Sequence, residues 1–445
     1  MKSEHGFIRV RVDWGLVGAM LGLLAIGTVA ILSAASPLPY YSAILQKHFL
    51  ALGVGTILFV FGMGFNYQIF QDQSKVIYAL VILIMIAVLV FGETQRGTKG
   101  WLKFPFFSFQ PSEIARLGTL LVLANFLDRR AKSSHRVSYV LGAFGVTLPV
   151  MALILMEPDF SGILPMFPML LAMLYCGGAN LAHLLAMGSY GALSFALPLV
   201  WTMLSLNPDL TQSSVILESF MRLREFDVPF LIAIGGILLG TFTVFKLMRA
   251  LRFNAPTPIF IVAGVILSAG LASGVFVDHQ LKGYQRNRFV AFLVPEADPR
   301  GAAYNVRQAQ VAIGSGGLWG KGVFSGTQSR LGFLPERHTD FIYAVIGEEM
   351  GFVGTMAVLA LYMLLLWRIV HAARVARDRY GYLVCCGMAA VTAFYLLVNV
   401  GMCLGLVPVA GVPLPFVSYG GSNLAVTLLS MGIVASVYSR RHAFY

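Results

Sequence analysis

The stretch T-P-I-F-I-V-A-G-V-I-L-S-A-G-L-A-S-G-V-F-V (257–277) carries no charged side chain, and Asp278 follows it at once. A helix needs about 20 apolar residues to cross a hydrocarbon layer, where every backbone amide must be bonded within its own helix. The stretch therefore predicts a membrane-spanning helix that ends where a polar segment, 278–340, begins. Outward from it, comparable runs recur at approximately 15–34, 48–65, 76–92, 113–127, 138–156, 160–177, 181–204, 228–247, 341–368, 381–404 and 421–438. About twelve spans result, and the fold class is an all-α polytopic integral membrane protein. The run 113–127 is the weakest, being short and opening with Glu113 and Arg116.

Composition agrees. The 445 residues are 58% hydrophobic and 12% charged, where a soluble domain carries about 25% charged residues. Mean hydropathy is +0.77. Length alone would suggest about three soluble domains, but apolar runs from end to end make 1–445 a single membrane domain. A net charge of +12 raises nucleic acid as a partner, yet there is no compact basic domain to bind it. Cys176, Cys385, Cys386 and Cys403 all lie in apolar runs, where a thiol behaves as a small hydrophobe. Without C-x-x-C or H-E-x-x-H the sequence offers no tetrahedral zinc pattern. The N-terminal segment leads into a run too long for a signal-peptide core, so it reads as the first span.

Lys and Arg in short loops set orientation. Lys2, Arg9 and Arg11 precede the first span; Arg129, Arg130, Lys132 and Arg136 follow the fourth; Lys246, Arg249 and Arg252 follow the eighth. Arg368, Arg374, Arg377 and Arg379 lie between the tenth and eleventh, and Arg440 and Arg441 close the chain. With twelve spans all of these share one side, which makes both termini cytoplasmic and the segment 278–340 a large extracytoplasmic loop. Arg96, Lys99 and Lys103 fall outside, against the rule.

Charge at the edge of a span is costly and needs a partner or a cavity. Glu113 and Arg116 share a helix face and can pair, either for a task or to join two helices. Asp159, in Glu157-Pro158-Asp159, would serve equally as a helix cap. Asp340 ends Leu334-Pro-Glu336-Arg337-His338-Thr339 and directly precedes an apolar run. A carboxylate there is partly desolvated and a better base; capping of the tenth span is the alternative. The glycine-rich Ile313–Gly322 stretch is not a P-loop, since Gly322 follows Lys321 where Ser or Thr is required. Its backbone could still approach a phosphate, with Lys321, Arg286, Arg288 and Arg330 to neutralise a pyrophosphate. Three prolines in 408–415 forbid a regular helix, so 407–422 lines a cavity or forms an outer loop.

Taken in order, GTKGW (97–101), FQPSEIAR (109–116), EPDFSG (157–162), YQRNR (284–288), IGSGGLWGKG (313–322), GTQSRLGFLPERHTDFIYAVIGEEMG (326–351) and GVPLPFVSYGGS (411–422) resemble the SEDS family of bacterial shape, elongation, division and sporulation proteins, and its RodA-like elongation branch. The resemblance implies a peptidoglycan glycosyltransferase that polymerises lipid II in the cytoplasmic membrane, with its site on the outer face. It implies a class B penicillin-binding protein as partner, among other elongation-complex membrane proteins. Asp340 would be catalytic, supported by Glu113, Arg116, Asp159 and Trp101. Arg286, Arg288, Lys321, Gln328, Arg337 and Ser418 would bind substrate pyrophosphate. A divalent cation, Mg or Mn, is the implied cofactor, and no organic one is expected.

Two departures stand out. RodA-like chains usually carry Lys where Arg116 stands, and Arg keeps the charge in a different donor geometry without titrating. The family core has about ten spans, so 205–256 reads as a lineage-specific insertion with about two more. Two other functions fit a polytopic chain. A flippase or transporter of lipid-linked precursor would place its charges at mid-bilayer in related halves, whereas here they cluster outside. A scaffold for partner enzymes would need less charge than the outer segment carries.

Overall fold

Long apolar helices dominate the computed structural model, which describes residues 12–95, 98–103, 108–212, 214–253, 256–280, 283–294 and 301–441. Lys2, Arg9, Arg11 and Arg96, used above for orientation, lie outside the described residues, as do Gly97 of the first motif and Pro295–Pro299. The chain forms two compact units, Met1–Ala179 with Asn305–Tyr445, and Asn180–Tyr304.

The first unit opens with α1 (Trp14–Ala35), α2 (Tyr41–Gly64), α3 (Gln68–Asp72) and α4 (Ser74–Phe91). A small antiparallel sheet follows, in the order β1 (Glu93–Gln95), β2 (Thr98–Lys103), β3 (Ser108–Phe109). Trp101 pairs with Glu93 across β1–β2, and Leu102 with Phe109 across β2–β3. Then come α5 (Pro111–Arg129), α6 (Val137–Met156), α7 (Phe160–Ile163) and α8 (Met166–Cys176). The second unit holds α9 (Leu181–Leu206), α10 (Pro208–Gln212), α11 (Val215–Arg222), α12 (Val228–Ala250), α13 (Thr257–Gln280) and α14 (Gly283–Leu293). The chain continues through α15 (Ala302–Ser315), α16 (Thr327–Arg330), α17 (Ile342–Arg374), α18 (Arg379–Cys403) and α19 (Gly421–Ser439).

Among the described residues ten helices are long and apolar enough to cross a membrane: α1, α2, α4, α6, α9, α12, α13, α17, α18 and α19. Two of the expected spans depart from that rule. Helix α5 carries Glu113, Arg116, Asp128 and Arg129 within its 19 residues. The run 160–177 is broken at Leu164 and Pro165, between α7 and α8, because proline cannot donate the amide a continuous helix requires.

In the first unit α19 packs along α2, α17 against α1 and α18, and α18 against α5 and α8. In the second, Leu197, Trp201, Phe230, Leu271 and Val275 form a core, where the indole of Trp201 donates to Phe220 O at 3.1 Å. The stretch 205–256 lies in this unit and supplies α10, α11 and α12.

About half of the segment 278–340, expected as a large loop, is helical. Asp278 still belongs to α13, and α14, α15 and α16 follow. The polar composition concealed an apolar stripe, since Ala303, Ala309 and Ala312 of α15 are buried. Helix α17 is interrupted at Gly351 (φ 66°, ψ −162°). Backbone from 317–322 enters the gap: Lys321 N and Gly322 N donate to Glu348 O and Glu349 O, each at 3.0 Å. Phe352 N and Val353 N donate to Gly317 O (2.9 Å) and Leu318 O (3.1 Å). Each bond lost at the break is thereby replaced.

Candidate functional site

Pro111 at the first position of α5 starts the helix without wasting an amide, which puts Glu113 in the first turn and Arg116 one turn on. The two form a buried ion pair. Asn423 of α19 donates to Glu113 Oε2 at 3.2 Å, and the Arg116 guanidinium lies 5.0 Å from the centre of the Tyr395 ring. Glu113, Arg116 and Tyr395, with Thr392, Thr427 and Ser430, line a cavity of about 30 Å³, room for a water or two. Asp340 does not line it.

Asp159 caps α7, so the capping alternative holds: its Oδ1 accepts from Gly162 N at 3.0 Å and Ser161 Oγ at 2.7 Å. It does more than cap. Gln110 Nε2 (2.9 Å) and Ser112 Oγ (3.4 Å), at the start of α5, both donate to Oδ2. Gln110 is held in turn by Ser422, whose hydroxyl accepts from its backbone amide at 3.0 Å. Two residues before Asp159, in the turn after α6, Glu157 is fully buried, and neither carboxyl oxygen has a partner among the described residues. Burial, with the Asp159 charge adding to it, pushes the Glu157 carboxyl up to about 8.

Asp340 is half-buried at the mouth of α17. It is not the cap, which is Phe341 with no side-chain bond. Its main chain is fastened by α18, and that of the two residues before it by the irregular segment 404–420. Asn399 Nδ2 donates to Asp340 O (2.9 Å) and Val412 O (2.8 Å). Ser418 Oγ donates to Thr339 O and accepts from Leu414 N, both at 2.7 Å, and Tyr419 N reaches His338 O at 2.9 Å. The proline-rich stretch is therefore a packed wall, with Val412, Leu414, Phe416 and Val417 buried.

The residues expected to meet pyrophosphate have partners of their own. Lys321 Nζ bonds Glu348 Oε1 (3.0 Å) and Thr327 Oγ1 (2.8 Å). The backbone amides of Thr327, Gln328 and Ser329 all point at the same Glu348 carboxylate, at 2.7, 2.8 and 3.1 Å. A fully buried carboxylate needs that compensation, and it draws Lys321 and the amide of Gln328 inward. Arg337 is buried and donates to Ala34 O at 2.8 Å, while Ser418 serves the wall just described. In the second unit Arg286 pairs with Asp278 at 3.2 Å, beside Arg224 at 2.6 Å; Arg288 lies half-buried on α14. Trp101 is half-buried on β2. Among the described residues no three His, Cys, Asp or Glu side chains converge as metal ligands do.

Glu113 and Arg116 are thus brought together, with Asp159 joined to the same helix start through Gln110 and Ser112. Asp340 is held independently by α18 and the 404–420 wall. Sequence reasoning passed over Asn399, Gln110, Glu157 and Glu348 as site residues. Two adjacent glutamates inside an apolar run were the available signal for Glu348.

The family model FTSW_RODA_SPOVE, described as cell cycle protein, matches residues 12–222 and 228–443. The peptidoglycan glycosyltransferase MrdB of Escherichia coli (strain K12) is 31% identical over 434 residues, covering 97% of this chain and 95% of that protein. The peptidoglycan glycosyltransferase RodA of Treponema pallidum is 31% identical over 437 residues, covering 96% and 98%. Among solved structures, a chain from a peptidoglycan synthase complex described as coordinating polymerization and crosslinking superposes with a TM-score of 0.63 at 28% identity, covering 97% of this chain and 99% of that one. An aspartate-to-alanine mutant of the rod shape determining protein RodA of Thermus thermophilus gives 0.60 at 26% identity, covering 98% and 100%. A match running from residue 12 to residue 443, over a chain of membrane-length helices, makes this a multi-pass membrane protein that belongs to the FTSW_RODA_SPOVE family of cell cycle proteins.

Proposed function

We propose that the chain is a peptidoglycan glycosyltransferase that polymerises lipid II into β-1,4 glycan strands during cell elongation, with Asp340 as general base. The names of its relatives support the reaction class. The observation that carries the residue assignment is the fastening of Asp340: bonds from Asn399, and from Ser418 and Tyr419 to the two residues before it, fix its main chain. A base must be positioned, and here neighbours position it through its backbone.

In this reading the acceptor is lipid II and the donor is the growing strand on polyprenyl pyrophosphate. The Asp340 carboxylate takes the proton of the acceptor 4-hydroxyl as that oxygen attacks the anomeric carbon. The bond to pyrophosphate breaks as the new one forms, so the α-linked donor gives a β-linked product by inversion. The leaving group requires positive charge. Lys321, 28% exposed at its side chain, is one accessible cation that precedes Asp340 in the chain, and it would have to release Glu348 to serve. Glu113, Arg116 and Asp159 order the helix starts behind the site.

The short-loop charge pattern supports cytoplasmic termini and an outward-facing site. The similar chain seen in a synthase complex supports a class B penicillin-binding protein as partner. Labelled lipid II, incubated with the purified protein and that partner, tests the reading. Asp340→Asn should lower polymer formation by about 10²–10⁴-fold with the partner still bound. Wild-type rates in that variant would remove Asp340 from its role.

A further inference from the structure

Glu157 and Asp159 are two carboxyls in one turn with opposite surroundings. Asp159 accepts four hydrogen bonds. Glu157 is fully buried and accepts none among the described residues. Its side chain is pressed against strand β2: a Cβ on Gly100 would lie 2.9 Å from Glu157 Oε2. Its main chain is tied to the same strand, since Lys99 N donates to Glu157 O at 3.2 Å. The circuit closes through the sheet. Strand β2 pairs with β3, β3 runs into Gln110, and Gln110 Nε2 reaches Asp159.

Among the described residues, the charged groups around this turn give Glu157 no counterion. Asp159 faces it with a like charge. Lys99 is turned onto Leu89 O at 2.8 Å, Lys103 pairs with Glu93 at the exposed side of the sheet, and Arg116 is committed to Glu113. An ionised carboxylate without donors in such a place is costly, and the group keeps its proton instead.

We propose that Glu157 is a positioning residue which, as a neutral acid, lets strand β2 and Trp101 close onto the Asp159 turn, and which on ionising forces the two apart. Loss of the proton leaves a bare anion beside Asp159 and the β2 backbone, and water reaches it only if the strand lifts. The sheet is thus a pH-limited clamp on the start of α5. Its link to activity rests on the glycosyltransferase reading; its structural half does not.

The test compares wild type with Glu157→Gln in two measurements. The first is the thermal midpoint of the detergent-solubilised protein from pH 5 to 9. The folded chain holds the proton to about pH 8, while the unfolded chain releases it near the ordinary carboxyl value. Wild-type stability therefore falls with rising pH between those values and levels off above the higher one. The advantage of Glu157→Gln should grow over that window and then stay constant. A difference independent of pH would overturn the proposal. The second is the polymerisation rate against pH with the partner present. Wild type should decline about tenfold per pH unit above about 8, and the amide should remove that limb; an unchanged limb sinks the proposed link to activity. If no polymer forms at any pH, the glycosyltransferase reading fails while the first measurement still decides. Gly100→Ala, which pushes on Glu157 Oε2, gives an independent reading. It should lower the neutral-pH midpoint and loosen the sheet to protease, and a silent variant would refute the contact.

Discussion

Glu348 and Asp340 stand on either side of the start of α17, yet the chain treats them in opposite ways. Around Glu348 the protein has spent donors on the carboxylate itself: three amides, a hydroxyl and an ammonium. Around Asp340 it has spent them on the main chain, with Asn399 on its carbonyl and Ser418 on the carbonyl before it. A saturated carboxylate is an anchor, because its lone pairs are occupied. Bonds to the main chain fix where the Asp340 side chain starts, which is what the proposed base requires. The difference is between a carboxylate that anchors the 321–329 turn and a residue whose main chain others anchor.

The contrast can be broken most forcefully at Glu348. Glu348→Ala leaves Lys321 without its counterion and three amides without an acceptor, and about 3–5 kcal/mol of stability should go. Chemical denaturation of the purified protein reads this directly, and a variant as stable as its parent would show that the 321–329 turn stands without its acid. A smaller effect is expected from Asn399→Ala, which frees Asp340 O and Val412 O at once. The polymerisation kcat should fall about tenfold, or about 1.4 kcal/mol, with KM within about twofold. A change confined to KM would put Asn399 in substrate binding instead. The least effect belongs to an acid neither buried nor positioned. Glu218 and Arg222 pair on α11 with side chains 57% and 66% exposed, so Arg222→Ala should change stability by less than about 0.5 kcal/mol. A larger loss would reveal that α11 rests against something.

The membrane helices were legible because an apolar run such as 257–277 leaves the backbone no alternative to a helix. Helix α5 was legible only in part: its charges mark it as unusual, and their partners Asn423 and Tyr395 lie some 300 and 280 residues away in sequence. The short helices within 278–340 were not legible, because α14 and α15 bury small residues and show little hydrophobic run to read. Lys321 and Gln328 looked like phosphate ligands for a sound reason, since a glycine-rich turn with a cation suits an anion. The anion proved to be Glu348, supplied by the chain itself. Asp159 could be read as a cap from its position before 160–177, but nothing local to the sequence foretold that Gln110 would join it.

The interruption of α17 has a consequence for how such a sequence can vary. Gly351 and Gly320 meet at the break: a Cβ on Gly351 would run into Gly320 N, and one on Gly320 into Glu349 O. Both also hold a positive φ, 66° and 80°, which a side chain resists. Neither position can drift alone, and a lineage that straightened the helix would have to rewrite 317–322 in the same step. The two glycines should therefore travel through descent as one inherited character, lost together or not at all.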